Sequence, residues 1–313
     1  MNLSAEVLVG NALDALKNLP DDSVQTVVTS PPYWGLRDYG NDEQLGLEKS
    51  PLDFIENLCK VFDEVWRVLK DDGTLWLNIG DTYVGTGSKG DAKDPKYADG
   101  RNGQEVALNN KISGLKTKEL IGVPWRVAFA LQARGWYLRQ DIIWAKSNPM
   151  PESVRDRCTK SHEYIFLMTK NPKYFYDHEA IKEDAVTTPK ARDKNGEGYQ
   201  ADYAGGDRFS PGERVFGADG KRNKRDVWNV PVRPYEEAHF AVYPPDLIEP
   251  CILAGSKEGD TVLDPFSGSG TTGEVALKHN RNYIGLELNP EYAEISRKRL
   301  LKVVGMFGEV IVK

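Results

Sequence analysis

The sequence predicts an α/β protein with a doubly wound, mostly parallel sheet of seven strands. Short segments rich in β-branched and aromatic residues alternate with longer amphipathic segments along most of the chain. This alternation is typical of βαβ units, which place helices on both faces of a parallel sheet. With 313 residues, 40% of them hydrophobic, the chain is long enough for one such domain with a sizeable core.

The predicted elements follow one another in a regular order. The strands share a run of Val, Ile, Leu or aromatic residues, and they lie at 6–9, 24–29, 74–79, 137–144, 163–169, 261–264 and 283–288. The helices share apolar residues at spacings of three and four, and they lie at 51–70, 118–134, 244–253, 271–279 and 290–302. In the first helix, Leu58, Phe62 and Val65 lie on one face, which predicts packing against the sheet.

Two irregular segments interrupt this order. Residues 85–117 and 182–226 are rich in Gly, Asn, Asp and Lys and show little periodicity. Unpatterned segments of this length inside a compact domain are usually functional or disordered. The second segment ends in a basic cluster with aromatic residues upstream, which favours contact with a substrate, and the cluster consists of Lys221, Arg222, Lys224 and Arg225.

Composition excludes several classes of protein. The net charge of −6 rules out a generally basic chain that coats nucleic acid, so any such contact needs a local basic surface. Cys59, Cys158 and Cys251 are far apart, which argues against a disulfide framework and a zinc site, and we expect no metal. Because no signal peptide and no apolar run of membrane-spanning length is found, we expect a cytoplasmic protein without a membrane contact.

A glycine-rich segment is the first candidate binding site. The residues from Asp264 to Gly273 read DPFSGSGTTG, follow the predicted strand TVLD and open a predicted helix. Glycines allow a ligand to approach the backbone, and the first turn of a helix has unpaired N–H groups. Glu287 ends the next predicted strand, where a carboxylate can bind both hydroxyls of a ribose. The segment therefore predicts a binding site for a small ligand, and the motif alone leaves the identity of that ligand open.

The same glycines leave a dinucleotide-binding oxidoreductase of the NAD type as an alternative. Gly268, Gly270 and Gly273 have the spacing G-x-G-x-x-G, and Glu287 lies near the expected acidic position. That fingerprint normally opens a βαβαβ unit, whereas the residues after Glu287 suffice for one helix and a tail. The remaining strands must come from earlier in the chain. The strand order is therefore predicted to be circularly permuted, which weighs against the alternative.

The second motif, TSPPYW from Thr29 to Trp34, lies at the carboxyl end of a predicted strand. Ligands of open α/β sheets bind outside the carboxyl ends of the strands, so this motif and the glycine-rich segment should share one crevice. The two prolines fix φ and lack an N–H, which sets the geometry of the backbone carbonyls. The Ser30 oxygen and the Pro31 carbonyl can then accept two N–H bonds from a planar amine, while Tyr33 stacks on its ring.

TSPPYW followed by DPFSGSGTT resembles the β-class DNA amino-methyltransferases, which use S-adenosylmethionine. Four further segments are similar to this family: 71–81, 142–153, 225–231 and 239–256. The resemblance covers most of the chain apart from the two irregular segments, and the order of the motifs fits only the permuted classes. It implies the fold of S-adenosylmethionine-dependent methyltransferases, circularly permuted.

The resemblance also implies a division of the chain. Residues 1–170 and 239–313 would form the catalytic domain, with 85–117 as an irregular insertion loop. Residues 171–238 would form the target-recognition region, in which basic side chains contact phosphates and guanine edges. The substrate would be double-stranded DNA. The family includes monomers and homodimers, and it includes enzymes that work beside a separate restriction endonuclease.

Individual residues take roles by the same resemblance. The catalytic candidates are Ser30, Pro31, Pro32, Tyr33 and Trp34. The cofactor-binding candidates are Asn11, Thr29, Phe240, Asp264, Phe266, Ser267, Gly268, Ser269, Gly270, Thr271, Thr272 and Glu287. The DNA-binding candidates are Lys221, Arg222, Lys224 and Arg225. The family often has an Asp beside the adenine at the position of Asn11, and an Asn can still hydrogen-bond there.

The implied reaction is direct in-line transfer of a methyl group to the exocyclic amine of a flipped base. Serine at the first position of the tetrapeptide, with Trp34 after the tyrosine, is associated in this family with cytosine N4 more than with adenine N6. Adenine N6 stays an alternative, because both amines present the same two donors. Attack on cytosine C5 by a thiolate is discounted, because Cys251 falls in a predicted helix among apolar neighbours. Glutamine-amide methyltransferases are disfavoured, because their glycine motif precedes the tetrapeptide.

Overall fold

The fold is given by a computed structural model that describes residues 3–35, 40–84, 114–184, 220–233, 243–304 and 309–313. The chain forms two compact units. The first comprises Met1–Asp177 with Asp226–Lys313, and the second comprises His178–Arg225. The second unit falls inside the region 171–238 that the sequence predicts for target recognition.

The first unit contains a nine-stranded sheet within the described residues. Its strands are β1 (Ser4–Val9), β2 (Val24–Thr29), β3 (Leu69–Ile79), β4 (Tyr137–Ala145), β5 (His162–Thr169), β8 (Val227–Asn229), β9 (Thr261–Asp264), β10 (Asn282–Glu287) and β11 (Glu309–Val312). Their order across the sheet is β11-β1-β10-β9-β2-β3-β5-β4-β8. All pairs are parallel except those of β5 with β3 and β4. The second unit holds a short antiparallel pair, β6 (Glu183–Asp184) and β7 (Lys221–Arg222).

Helices pack on the sheet of the first unit. They are α1 (Ala12–Leu16), α2 (Pro51–Val68), α3 (Val123–Ala133), α4 (Pro245–Gly255), α5 (Thr271–Lys278) and α6 (Pro290–Val304). The start of α2 shows how the local sequence sets an element, because the Ser50 side chain accepts from the Asp53 N–H and Pro51 occupies the first turn. Leu58, Phe62 and Val65 of α2 are fully buried in the core. No helix in the described part of the chain is long and apolar enough to cross a lipid bilayer.

All seven predicted strands are present, and the mostly parallel sheet is confirmed. The strand count is corrected from seven to nine, because β8 and β11 extend the two edges. Both are short and pair through main-chain groups, so they leave little periodic signal in the sequence. The third helix begins later than predicted, at Val123, because Gly122 has a left-handed φ of 76° and Pro124 fits the first turn.

The permuted strand order is confirmed by the position of the C-terminal strands. β10 pairs with β1, and β9 pairs with β2, so two strands from the last part of the chain lie at the centre of the sheet. Both pairings are parallel. The carboxyl ends of β2 and β9, where Thr29 and Asp264 lie, therefore meet at the same edge of the sheet, and this edge forms the functional site.

Candidate active site

A cavity of about 640 Å³ opens at the carboxyl ends of β2, β9 and β10. Its volume lies within the range of roughly 300–1,000 Å³ that is typical of small-molecule sites. The predicted residues that line it come from both motifs and from two other strand ends, and they are Asn11, Ser30, Pro31, Pro32, Tyr33, Phe266, Ser267, Gly268, Ser269, Thr271 and Glu287. The prediction that the two motifs share one crevice is confirmed.

The Asp264 carboxylate lies behind the cavity wall and joins the two motifs. It is 1% exposed, and it accepts hydrogen bonds from Thr29 Oγ1 at 2.6 Å and Thr272 Oγ1 at 2.6 Å. The Phe266 N–H and the Tyr243 hydroxyl donate to it as well, both at 3.0 Å. Burial raises the pKa of Asp264 above its usual value, and the hydrogen bonds oppose that rise.

These contacts concern four of the predicted cofactor-binding residues. Thr29, Asp264 and Thr272 are buried and bonded to one another, and the cavity lining does not include them. Gly270 does not line the cavity either. Four protein donors reach the oxygens of the Asp264 carboxylate, so Thr29, Asp264 and Thr272 hold the wall of the cavity together.

The two glycines with left-handed φ in the turn before α5 serve different purposes. A Cβ on Gly268, where φ is 52°, would meet no atom within 4 Å. A Cβ on Gly270, where φ is 78°, would lie 3.2 Å from the Cα of Ser296 and would collide with the Ser296 side chain. Gly268 therefore leaves open space in the cavity, and Gly270 allows the turn to pack on α6.

Glu287 places a carboxylate in the cavity wall. Its oxygens accept hydrogen bonds from the Gly268 N–H at 2.7 Å and from the Asn289 N–H at 2.9 Å. Burial raises the pKa of Glu287 above the usual range of a glutamate. Asn11 lines the same cavity, but its Oδ1 caps α1 by accepting from the Leu13 N–H at 3.0 Å. A ligand contact by Asn11 would therefore use its amide nitrogen.

Trp34, one of the catalytic candidates, anchors the loop of the TSPPYW motif in the protein interior. It is 4% exposed, belongs to the hydrophobic core and is not part of the cavity lining. Its indole N–H donates to the Glu48 carbonyl at 3.0 Å. Burial of this ring fixes the loop from behind, while Tyr33 reaches the cavity. Cys251 is fully buried in α4, which confirms the prediction that it packs in the core.

Two charged residues of the cavity were missed by the sequence analysis. Tyr33 Oη donates to Glu163 Oε2 at 2.6 Å, and the ammonium of Lys146 forms an ion pair with the other oxygen of Glu163. Both charged side chains line the cavity. Lys146 directly follows β4, and Glu163 lies at the start of β5. The antiparallel pairing of these two strands brings the two side chains together. The sequence offers no local signal for that pairing.

The predicted DNA-binding residues lie in the second unit. Arg222 Nε and Arg225 Nε both donate to Glu183 Oε1, at 2.9 Å and 2.6 Å. Lys221 and Arg225 are exposed, whereas Arg222 and Lys224 are partly buried. Phe240 and most of the segments 85–117 and 182–226 lie outside the described residues.

Comparison with known proteins assigns the chain to a family. The family model described as DNA methylase, of the N6/N4 methyltransferase type, matches residues 24–298. Over 300 residues the chain is 49% identical to the Type II methyltransferase M.Cfr9I of Citrobacter freundii, and the match covers 95% of this chain and 87% of the relative. It is 48% identical to the Type II methyltransferase M.SmaI of Serratia marcescens, with 96% and 91% covered.

Solved structures agree with this assignment. TTHA0409 from Thermus thermophilus, complexed with S-adenosyl-L-methionine, has a TM-score of 0.59 and 26% identity, with 98% of this chain and 99% of that chain covered. PvuII DNA methyltransferase, which is cytosine-N4-specific, has a TM-score of 0.63 at 18% identity, with 100% and 95% covered, and so supports the fold alone. The predicted family is confirmed and the oxidoreductase alternative is excluded. The chain belongs to the N6/N4 DNA methylase family.

Proposed function

We propose that this member of the family methylates the N4 amine of cytosine in double-stranded DNA, with S-adenosylmethionine as the methyl donor. One observation carries the proposal. A single cavity is lined by Ser30 and Pro31 of the TSPPYW motif and also by Glu287 and the glycine turn at Gly268. A cavity of this kind can hold an amine and an adenosine side by side.

The residues around the glycine turn fit S-adenosylmethionine. Glu287 offers carboxylate oxygens to the two ribose hydroxyls, and the open space at Gly268 lets the ligand lie against the backbone. Phe266, Ser267 and Ser269 would surround its methionine part. When bound, S-adenosylmethionine supplies an electrophilic methyl group on a sulfonium.

Ser30 and Pro31 act on the amine. An exocyclic amine is a poor nucleophile, because its lone pair is delocalised into the ring. Two N–H bonds accepted by Ser30 Oγ and the Pro31 carbonyl would hold the nitrogen toward a tetrahedral arrangement and aim the lone pair away from the ring. Tyr33 would stack on the flipped base and offset part of the cost of leaving the duplex, about a few kcal/mol. The rate gain comes from positioning and electrostatics.

The choice of cytosine rests on the tetrapeptide itself. Its first residue is Ser30, and in the resembling family serine there, with Trp34 after the tyrosine, is associated with N4 methylation of cytosine. Adenine N6 is the second candidate, because the two hydrogen-bond acceptors would serve either amine. To decide, unmethylated DNA is incubated with the protein and S-adenosylmethionine, and its nucleosides are analysed by mass spectrometry. N4-methylcytosine supports the proposal, whereas N6-methyladenine keeps the mechanism and overturns the base.

The raised pKa of Glu287 predicts that cofactor affinity falls at mildly acidic pH. The ionised carboxylate accepts the ribose hydroxyls, and a raised pKa means that Glu287 becomes protonated sooner as the pH falls. Below that pKa the affinity should fall by up to about tenfold per pH unit. Calorimetric titration with S-adenosylmethionine at several pH values measures this change in affinity. Glu287→Gln should bind weakly with little pH dependence, and an equal pH dependence in that variant would contradict the assignment.

The second unit is proposed to contact DNA, within a target-recognition region at 171–238. Replacing Lys221 and Arg222 by alanine should weaken DNA binding and lower the slope of log affinity against log salt by roughly 1 per lost phosphate contact. Fluorescence anisotropy at several salt concentrations measures this salt dependence. The control is a double variant with Lys278 on α5 and Lys298 on α6 both replaced by alanine. A slope equal to that of the wild type would show that the basic cluster does not contact DNA.

We also propose a setting and partners for this chain, which the names of its relatives support. Because M.Cfr9I and M.SmaI are named Type II methyltransferases, we place this chain in a restriction-modification system, where a cognate endonuclease acts separately. It would work in the cytoplasm, on double-stranded DNA, as a monomer or a homodimer.

A further inference from the structure

A chain of hydrogen bonds runs from Ser30 to a carboxylate at the far side of Tyr33. Ser30 Oγ donates to Tyr33 Oη at 3.5 Å, and Tyr33 Oη donates to Glu163 Oε2 at 2.6 Å. Every donor in this chain points from the cavity toward Glu163. We infer that Glu163, anchored by Lys146, is a positioning residue that orients Ser30 as an acceptor and receives the proton that the methylated amine loses. This inference rests on the proposed function.

The direction of these bonds decides what Ser30 offers to a substrate. A serine hydroxyl can donate or accept, and a hydroxyl proton aimed at an amine would oppose binding. Because the Ser30 proton is directed to Tyr33, the lone pairs of Oγ are left for the substrate. Two acceptors lie near Tyr33 Oη, Glu163 Oε2 at 2.6 Å and Asn78 Oδ1 at 3.4 Å. The shorter contact is to the carboxylate, which only accepts when ionised, so it holds the Tyr33 proton and leaves Oη able to accept from Ser30. The charge of Glu163 therefore sets the direction of both hydrogen bonds, from Ser30 to Tyr33 and from Tyr33 to Glu163.

The surroundings hold Glu163 in this position. Lys146 forms an ion pair with Oε1, and its ammonium also lies 4.5 Å from the centre of the Trp144 ring. Asn78 Nδ2 approaches Oε2 at 3.4 Å and donates to the Tyr164 carbonyl at 3.1 Å. An ion pair that is partly withdrawn from water costs desolvation energy and adds little stability. Its place in the cavity wall points to a role in the reaction.

Gly80 provides the room for the contact between Tyr33 and Glu163. A Cβ at this position would lie 2.7 Å from Tyr33 Cε2 and 3.3 Å from Glu163 Cδ. Any larger residue would therefore push the tyrosine ring away from the carboxylate. The strand end of β3 is thus shaped around this pair of side chains.

The proton has a complete path along these atoms. As the amine nitrogen bonds to the methyl carbon, the sulfonium becomes a neutral thioether and the nitrogen carries a surplus proton. That N–H bond breaks toward Ser30 Oγ, the Ser30 proton passes to Tyr33 Oη, and the Tyr33 proton passes to Glu163 Oε2. Both hydroxyls are restored and Glu163 is neutral. Its side chain is 13% exposed, so the proton can then leave to water.

The test compares single-turnover methylation by Glu163→Gln, Tyr33→Phe and the double variant, at saturating S-adenosylmethionine and DNA. Each single variant should lower the rate roughly 100-fold, at the lower end of the range of acid–base effects, and leave the dissociation constant of S-adenosylmethionine unchanged. The double variant should be no slower than the slower single variant, because both interrupt one chain. The matched control is Glu56→Gln, because Glu56 is an exposed residue of α2 and forms an ion pair with Arg134.

A second readout does not depend on the rate. Infrared difference spectra during a single turnover should show a protonated carboxylic acid in the wild type and none in Glu163→Gln. A rate for Glu163→Gln equal to that of Glu56→Gln, or effects that multiply in the double variant, would contradict the relay. If Glu163→Gln does not fold, Tyr33→Phe alone tests the relay. A methylation rate for Tyr33→Phe equal to that of the wild type would then contradict the relay. A wild type that methylates no DNA amine would instead refute the proposed function.

Discussion

Asp264→Ala should destabilise the protein by about 3–5 kcal/mol, a large part of the roughly 5–15 kcal/mol that holds a typical domain folded. The substitution leaves the hydroxyls of Thr29, Thr272 and Tyr243 and the N–H of Phe266 without their acceptor in the interior. Each buried donor without a partner carries a desolvation penalty. Because these donors come from β2, α5, the segment before α4 and the glycine turn, both motifs should lose their common support.

Urea unfolding of the variant against the wild type measures this effect. Asp246→Ala on α4 is the control, because that carboxylate is exposed and its ion pair with Arg233 should contribute less than about 1 kcal/mol. Asp264→Asn keeps one acceptor oxygen and should fall between the two, which retains a measurable variant if Asp264→Ala does not fold. An Asp264→Ala midpoint equal to that of Asp246→Ala would show that the carboxylate does not organise the site.

Alanine at the two glycines of the turn should separate cofactor binding from folding. Gly268→Ala adds a methyl group to the open space of the cavity, so it should cost about 1–2 kcal/mol for the left-handed φ and weaken S-adenosylmethionine at least about tenfold. Gly270→Ala adds the same backbone cost and a collision with Ser296, so it should lose about 2–5 kcal/mol of stability.

Each glycine variant is the control for the other, since the residue type and the sign of φ are the same. Thermal unfolding and calorimetric titration of S-adenosylmethionine, measured on both, give the comparison. Gly270→Ala molecules that remain folded should bind the cofactor better than Gly268→Ala does. The reverse order of affinities would mean that the ligand lies against Gly270 and that the cavity has been misassigned.

The parts of the site that the sequence predicts correctly depend on local pattern. TSPPYW ends a buried strand and DPFSGSGTT follows another, and the rule that ligands bind at the carboxyl ends of parallel strands is enough to place both in one crevice. β9 and β10 come late in the sequence but lie between β1 and β2 in the sheet, as the order of the two motifs predicts. The motifs and their order therefore account for most of the fold.

The parts that the sequence does not predict depend on distant contacts. Asp264 ends β9, and its donor Thr29 lies 235 positions away in the sequence, so no local pattern predicts their hydrogen bond. Trp34 ends the TSPPYW motif but points its indole to Glu48. Lys146 and Glu163 meet because β5 runs antiparallel to β4, and neither strand's sequence reveals that direction. Burial and strand direction decide these roles.

The central claim is direct transfer of a methyl group to an exocyclic amine in the cavity between the two motifs, without a covalent intermediate on the protein. The most direct measurement is a single turnover with methyl-labelled S-adenosylmethionine, followed by mass spectrometry of both the DNA nucleosides and the protein peptides. Direct transfer should leave the label on an amine nitrogen of a base, N4 of cytosine in our proposal, and at no time on the peptide that contains Cys251. Label at carbon C5 of cytosine, or label passing through a cysteine, would contradict it.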